Sequence, residues 1–255
     1  MPDPQRPMRT SLGRAEPDRV LVRGHDLTGE LLGQATYADM VVLLLLGRMP
    51  DEQERRMVDA LLVSLIEHGL VKPVVAARFV YSNAPESLQA AVAASLLGAG
   101  SRHLGSSEWC ARMLQEAVAS SDDVDGVAER IVEEHRAAGD RLPGIGHRTH
   151  AGGDPRADRL LAIARATGSH GRHCRLLERV AELASTAAGR RLPVNVTGAI
   201  AAIASDIGFR WEIVRGFALM SRTLGALAHI QEEIDEPLSD RLIRQIQRSV
   251  EYWPD

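Results

Sequence analysis

A glycine-rich stretch, residues 142–156, carries the side chains of this chain that are best suited to chemistry. Pro143, Gly144 and Gly146 break any helix that arrives from upstream and allow a tight backbone path, which keeps His147 off a regular element. We therefore interpret this stretch as half of an active site. The alternative is an ordinary solvated loop.

The end of the same stretch predicts an anion site. Asp154 caps a new helix, and Pro155 occupies the first helical position, where its missing N–H costs nothing. Arg156 then falls in the first turn, where the helix dipole disfavours a cation. Its presence makes sense if an anion such as a phosphate binds there. Otherwise Arg156 is a surface arginine.

Two more histidines are expected near helix ends. His68 precedes Gly69 at the predicted end of a helix that begins at Pro50, so the helix dipole favours a protonated imidazole that could bind an anion. A capping role without a ligand is the alternative. His103 lies in a predicted link just before a helix that begins near Ser106, a position that keeps the imidazole neutral and able to donate a hydrogen bond to a developing oxyanion.

One arginine interrupts a long apolar stretch, residues 217–228. Arg222 is the single charge in this stretch, and burying a guanidinium is unfavourable unless it meets a carboxylate or several carbonyls. An internal ion pair with a protein Asp or Glu would satisfy this requirement as well as a bound ligand would.

Two short clusters allow a metal interpretation. His147 and His150 form one of them, and His170, His173 and Cys174 form the other. Ligand pairs often recur at such spacing, but no second cysteine pair or neighbouring carboxylates complete either cluster. We therefore expect no metal site.

The elements that position these residues are predicted to be helices. Residues 1–24 are predicted to form an extended arm, and no stretch shows convincing strand alternation. Long helical periods continue to the end of the chain and predict an all-α protein. The predicted helices cover residues 36–46, 50–69, 88–97, 106–119, 122–138, 155–167, 172–188, 193–207, 212–233 and 238–250.

Composition excludes several classes of function. A chain of 255 residues with a formal net charge of -4 has no electrostatic reason to bind nucleic acid. Two cysteines suit a reducing cytosol. The proline-rich N-terminus lacks the apolar core of a signal peptide, and the apolar run at 40–46 is too short to span a bilayer. We expect a soluble cytoplasmic protein without a membrane partner.

After the N-terminal arm, most of the chain resembles the citrate synthases and their relatives, the citryl-CoA lyases. The shared motifs follow the family's order, and the shortness of the chain is more like the small citryl-CoA lyases. As they stand in this chain, the motifs are EHG at 67–69, HLGSSE at 103–108, PGIGH at 143–147, GDPRA at 153–157 and SRT at 221–223.

The resemblance implies a role for each matching position. His68 and Arg222 would hold substrate carboxylates, His103 would polarise the thioester carbonyl, and His147 would exchange a proton with the oxaloacetate oxygen. The implied coenzyme A contacts are Arg156, Gly146 and Arg148. Coenzyme A would enter as the thioester substrate, and no permanently bound cofactor is expected.

Two positions depart from the family pattern. Thr197 stands where the family has the aspartate that removes a proton from the acetyl methyl group, and a hydroxyl cannot replace that base near neutral pH. Asp206, nine residues further on, is roughly 13 Å away along the helix axis and cannot substitute. Glu236 stands where the family's trans-acting arginine is expected, leaving Arg241 or Arg244 as replacements.

The missing base affects the two directions of the reaction unequally. Condensation must take a proton from a weakly acidic carbon, whereas cleavage begins at the citryl hydroxyl, which His147 can deprotonate. We therefore predict retro-Claisen cleavage of citryl-CoA, or of a related 3-hydroxy-acyl-CoA, to acetyl-CoA and oxaloacetate. The alternatives are citrate synthase-type condensation and a degenerate homologue that binds coenzyme A without catalysis.

The resemblance also implies an architecture. Residues 1–105 and 209–255 would form a large helical domain that includes the arm, and residues 106–208 would form a smaller helical domain. The active site would lie in the cleft between them, and closure would exclude water. Members of this family form homodimers, so we expect a homodimer that takes a small acyl-CoA and a dicarboxylate.

Overall fold

The computed structural model describes residues 8–146 and 152–254, without the side chains of residues 101–103. Within these ranges the chain is helical apart from one small sheet, which confirms the all-α prediction. The helices are α1 (Tyr37–Leu46), α2 (Glu52–Val63), α3 (Lys72–Asn83), α4 (Leu88–Gly98), α5 (Ser101–Ser120), α6 (Val124–Ala138), α7 (Pro155–Thr167), α8 (Arg172–Ala188), α9 (Val196–Ile207), α10 (Trp211–Asp235) and α11 (Ser239–Ser249). None of these described helices is both long and apolar enough to cross a membrane.

The described chain divides into two compact units between residues 59 and 60. The first unit holds an antiparallel sheet of β1 (Gly13–Ala15), β2 (Val20–Val22) and β3 (His25–Asp26), in that order. The extended arm predicted for residues 1–24 is therefore wrong in part, because it contains two strands. Strands of three residues are too short to show alternation in the sequence.

Helix α1 follows a single turn of π-helix, Leu27–Leu31. The residue types at Thr36 and Asp39 predict a capping box at its beginning, and the structure confirms it: Asp39 N donates to Thr36 Oγ1 at 3.2 Å, and Thr36 N donates to Asp39 Oδ2 at 2.8 Å. Gly47 ends the helix in the left-handed conformation, with φ +76°.

Helix α10 packs against α3, α4, α5 and α9 in the second unit, and α9 also contacts α7 and α8. The residues of α9 from Val196 to Ser205 are almost all buried. Because most of them are alanine, glycine or isoleucine, neighbouring helices can approach on every side. The N-terminal turn of α9 is thereby fixed deep in the second unit. The predicted domain division at residues 105 and 208 stays a prediction.

Two predicted helix ends are wrong, and both bear on candidate histidines. Helix α2 ends at Val63, five residues before His68, and in the turn that follows the Glu67 carboxylate accepts the N–H groups of His68 and Gly69. Helix α5 begins at Ser101, so His103 lies inside its first turn and not in a preceding link.

Candidate active site

The glycine-rich loop pairs with the segment that leads into α9. Gly146 N donates to Pro193 O at 2.7 Å, and Asn195 N donates to Gly144 O at 3.0 Å. The Asn195 side chain adds a bond from Nδ2 to Gly146 O at 2.8 Å. Gly144 and Gly146 have φ values of +81° and +78°, which L side chains rarely adopt. The sequence prediction of a tight glycine path is confirmed here.

The loop also lies directly on the first turn of α9. A Cβ on Gly198 would fall 2.3 Å from Gly144 O, and a Cβ on Gly144 would fall 2.6 Å from Cys110 Sγ. Burial raises the pKa of the Cys110 thiol to about 12, so this sulfur is a neutral packing group. The two glycines are therefore required for contact between backbones.

Thr197 occupies a defined hydrogen-bonded position in this turn. Its hydroxyl donates to Asn195 Oδ1 at 2.7 Å and lies 2.8 Å from Ser106 Oγ on α5. Asn195 Oδ1 also accepts the N–H groups of Thr197 and Gly198, which identifies that atom as the oxygen. Because Thr197 has a single hydroxyl proton, Ser106 must be the donor to Thr197. The position that the resemblance assigns to the family's base thus holds a neutral hydroxyl, and its proton is donated to Asn195 Oδ1.

A buried aspartate joins the beginnings of two helices. Asp154 caps α7 as predicted, accepting the N–H of Arg156 at 3.1 Å, and its other oxygen accepts Val196 N of α9 at 2.9 Å. Burial raises the pKa of Asp154, but the Arg156 guanidinium and the Val196 N–H outweigh burial, and the pKa lies below its ordinary value. Asp154 therefore remains a carboxylate.

The same aspartate explains why Arg156 tolerates the positive end of α7. Arg156 Nε and Nη2 each lie 3.0 Å from an Asp154 oxygen. A bound phosphate is therefore not needed to account for this arginine. The coenzyme A role of Arg156 stays a prediction.

Arg222 is the least satisfied charge in the described part of the chain. It is 8% exposed, and its Nε and Nη1 are buried without a hydrogen-bond partner among the described residues. Burial lowers the pKa of Arg222; the Glu67 carboxylate opposes that shift, and the Arg156 guanidinium adds to it. The described residues do not supply the internal ion pair that was the alternative for Arg222, so two N–H groups are left for another acceptor.

Glu67 forms the turn that holds His68. Its Oε1 accepts His68 N at 2.7 Å and also accepts Gly69 N. Helix α10 reaches this turn through Gly225, where a Cβ would fall 2.2 Å from Ile66 O and 3.4 Å from Glu67 Oε2. The His68 turn is thereby packed against the part of α10 that carries Arg222, three residues before Gly225.

These contacts link most of the predicted site in one part of the second unit. Thr197 follows Val196, whose N–H donates to Asp154. The Asp154 carboxylate also accepts from the Arg156 guanidinium, and the charge of Arg156 lowers the pKa of Arg222. Three predicted residues, His147, Arg148 and the side chain of His103, lie outside the description. The backbone of His103 is in the first turn of α5, the positive end of that helix, and the described loop ends at Gly146, immediately before His147.

A cavity of about 540 Å³ opens beside the glycine-rich loop. Its walls combine apolar side chains with three arginines from the ends of α6 and α8 and the loops that follow. This mixture suits a ligand that has a flat apolar group and phosphates. The lining residues are Val132, His135, Arg136, Asp140, Arg141, Leu142, Ile145, Gly146, Ala184, Ala187, Ala188, Arg190 and Leu192.

Asp206 has a different use from the family's base. Its carboxylate accepts the N–H groups of Gly171, His173 and Cys174 at 2.7 to 3.0 Å and so caps α8. The His173 ring lies 2.9 Å from the same carboxylate. No group of three metal-binding side chains occurs within residues 8–146 and 152–254, although His147 and His150 lie outside these ranges.

Sequence reasoning missed several residues of this site. Ser106 was predicted only as a helix start, and Asn195, His229 and Arg78 were not among the predicted site residues. His229 lies seven residues after Arg222, and a spacing of two helical turns puts both on one face of α10. That spacing was the available signal for His229.

The fold and these contacts agree with the comparison to known sequences. Residues 11–245 match the family described as citrate synthase, C-terminal domain, and the chain belongs to this family. It is 30% identical to the putative citrate synthase 2 of Mycobacterium tuberculosis, over 72% of this chain and 49% of that protein. It is 25% identical to the citrate synthase of Acidithiobacillus ferridurans, over 83% of this chain and 54% of that one. The chain thus spans about half the length of the curated relatives it matches.

Solved structures include one of similar length. Citryl-CoA lyase from Hydrogenobacter thermophilus has a TM-score of 0.87 and 39% identity, covering 98% of this chain and 96% of that chain. ATP citrate lyase from Methanosaeta concilii, solved with (3S)-citryl-CoA, has a TM-score of 0.77 and 23% identity, covering 98% of this chain and 42% of that one. At that identity the second likeness shows the fold alone.

Proposed function

We propose that this protein is a citryl-CoA lyase-type enzyme, which cleaves citryl-CoA or a related 3-hydroxy-acyl-CoA to acetyl-CoA and oxaloacetate. The observation that carries the proposal is the state of Thr197. The position of the family's carbon base holds a hydroxyl that donates to Asn195 and accepts from Ser106. Such a group cannot start condensation near neutral pH, whereas cleavage does not begin with that step.

In the proposed reaction, His147 removes the proton of the citryl hydroxyl. The oxygen electron pair forms the ketone of oxaloacetate as the carbon–carbon bond breaks, and the bond electrons pass to the thioester as an enolate. His103, at the positive end of α5, donates a hydrogen bond to the enolate oxygen. A proton from solvent water then reaches the enolate carbon and yields acetyl-CoA, and His147 returns its proton to solvent.

Two proposed binding regions hold the ends of the substrate. Arg222 presents buried N–H groups to a carboxylate, with His68 nearby, and this is the feature expected of a di- or tricarboxylate site. The coenzyme A end would use Gly146, Arg148 and Arg156. The cavity beside Gly146, with Arg136, Arg141 and Arg190 in its walls, suits a phosphorylated nucleotide.

Two wider expectations belong to the same proposal. A cytoplasmic location is supported by the two free, buried cysteines. A homodimer is supported by the apolar side chains that α10 and α11 leave exposed, among them Leu224, Leu227 and Ile246.

Turnover of citryl-CoA by the purified protein is the direct test. We expect oxaloacetate to be released, measured by its reduction with a coupled dehydrogenase, and we expect condensation of acetyl-CoA with oxaloacetate to be slower. His147→Ala should abolish release if the protein is an enzyme. Binding of coenzyme A by calorimetry, without product from citryl-CoA, would replace the proposal with the binding-only alternative.

A further inference from the structure

A line of polar side chains in contact runs from the beginning of α11 to the His68 turn. Glu233 accepts the N–H groups of Leu238 and Ser239 at 3.0 and 2.9 Å, and it lies 3.0 Å from Arg78 Nη1. Arg78 is 1% exposed and also pairs with Glu232. The guanidinium is therefore fixed in one orientation, with another edge turned toward His229.

The contact with Arg78 determines the tautomer of His229. Arg78 Nη2 lies 3.0 Å from His229 Nδ1, and Nε lies 3.4 Å from the same atom. A guanidinium has only donors, so His229 Nδ1 must be the acceptor and the ring proton must be on Nε2. Nε2 is buried and lies 3.1 Å from Glu67 Oε2, within ion-pair distance, although the two atoms are not aligned as a hydrogen bond. The protonated nitrogen of His229 is thus next to the Glu67 carboxylate.

Glu67 has a second possible partner. It is the acidic group whose charge acts on Arg222, and its side chain is 44% exposed, so space is available for it to move. Arg222 has two buried N–H groups without acceptors. Charge attraction therefore favours an ion pair between Glu67 and Arg222, and that pair would occupy the N–H groups that a substrate carboxylate needs.

We propose that His229 is a positioning residue that holds Glu67 away from Arg222 and so keeps the carboxylate site open. Arg78 supplies the tautomer, His229 supplies the N–H, and the amides of His68 and Gly69 hold the other carboxylate oxygen. The inference rests on the carboxylate-binding role of Arg222 within the proposed function, and it does not depend on which direction the reaction takes.

Calorimetric titration with citrate tests this arrangement. His229→Asn retains an acceptor for Arg78 but is too short to reach Glu67, so we expect citrate affinity to fall by about tenfold or more, the loss expected for one charge-assisted contact. His229→Gln can extend its amide to the Nε2 position and should stay within about threefold of the wild type. Thermal unfolding of both variants shows whether each is folded.

The double variant His229→Asn with Glu67→Gln separates positioning from general damage. A neutral side chain at position 67 does not compete for Arg222, so we expect the second substitution to restore citrate affinity. Glu67→Gln alone should bind citrate at least as well as the wild type. The proposal is overturned if the double variant remains as weak as His229→Asn, or if Glu67→Gln alone loses tenfold; the second outcome decides the matter even where His229→Asn does not fold.

The same titration distinguishes this inference from the proposed reaction. If the wild type binds citrate, loses binding in Arg222→Met and follows the pattern above, the inference stands even where citryl-CoA is not cleaved. If the wild type does not bind citrate, the carboxylate site and the role of His229 both fall, whatever the outcome with citryl-CoA.

Discussion

The Thr197 hydroxyl accepts a hydrogen bond from the Ser106 hydroxyl at 2.8 Å and donates its own proton to Asn195. If position 197 is where the proposed function puts it, a fully bonded neutral group stands where condensation needs a base. An aspartate at this position would still have a donor in Ser106, although its carboxylate would approach Asn195 Oδ1.

We expect Thr197→Asp to raise the rate of condensation of acetyl-CoA with oxaloacetate by roughly a hundredfold or more, the usual contribution of a positioned base. Thr197→Asn is the matched control, because it has nearly the same shape and no basic group at neutral pH. Thiol release from acetyl-CoA measures both variants. Equal rates in the two would show that a base at position 197 is not what limits condensation.

Two buried arginines should respond in opposite ways to the same substitution. Arg222 has unsatisfied N–H groups, so Arg222→Met should stabilise the fold by about 1–3 kcal/mol while abolishing citrate binding. Arg78 is paired with Glu233, and Arg78→Met should cost about 3–5 kcal/mol because a buried carboxylate loses its partner. Urea denaturation measures both free energies of unfolding. A destabilised Arg222→Met variant would argue against the carboxylate site.

Two helical glycines provide a test of the contact between the loop and α9. A Cβ on Gly198 would fall 2.3 Å from Gly144 O, whereas a Cβ on Gly216 would meet only the tip of Ile213 at 3.9 Å. Gly198→Ala should therefore lower the thermal midpoint and weaken substrate binding. Gly216→Ala should stabilise α10 by up to about 1 kcal/mol, as expected from helix propensity. Similar midpoints for the two variants would contradict the close approach.

Stability should depend on pH through Asp206. Burial raises its pKa, but the bonds from His173 and Cys174 outweigh burial and place the folded pKa below the ordinary value. Its contribution is therefore full above the ordinary aspartate pKa of about 4 and is lost as the pH falls through the lower, folded pKa. We expect Asp206→Asn to cost about 2 kcal/mol at pH 7 and less once the pH is below the ordinary aspartate pKa.

Asp123→Asn is the control for that comparison, because Asp123 caps α6 through a single bond to Gly126 in an exposed position. Asparagine caps helices about as well as aspartate does, so little change is expected at either pH. An Asp206→Asn cost that is the same at pH 3 and pH 7 would mean that shape, and not charge, is what the site requires.

The arginines of the cavity should affect coenzyme A more than citrate. Arg190→Ala removes one cation from the cavity wall, and we expect coenzyme A affinity to fall by about five- to tenfold with citrate affinity unchanged. Arg165→Ala is a suitable comparison, since Arg165 pairs with Glu178 elsewhere on the surface. Calorimetry with each ligand measures both effects. Unchanged coenzyme A binding in Arg190→Ala would remove the cavity from the proposed site.

The sequence was sufficient for most helices because their caps and breakers are local. Asp154 with Pro155, Thr36 with Asp39, and Gly47 act within one turn, and the structure confirms all of them. Helix α2 was predicted six residues too long, since it ends at Val63 without a glycine or proline and the following turn is bonded through the Glu67 side chain.

The sequence predicted which residues belong to the candidate site but not which of their side chains contact each other. That Arg222 is buried could be inferred from its apolar neighbours, but that Glu67 faces His229 depends on residues 162 apart in the chain. Likewise, Ser106 and Thr197 meet across α5 and α9, which no local pattern reveals. The shared motifs therefore identified the candidate residues, whereas the packing of the helices determined which of their polar atoms are free to bind a ligand.

Asp154 is completely buried, and it accepts one amide from the beginning of α7 and another from the beginning of α9. The amide protons of Arg156 and Val196 are therefore shielded from solvent by the same side chain. Exchange of these two protons for deuterium should follow one common opening event, in which the beginnings of α7 and α9 become exposed to solvent together.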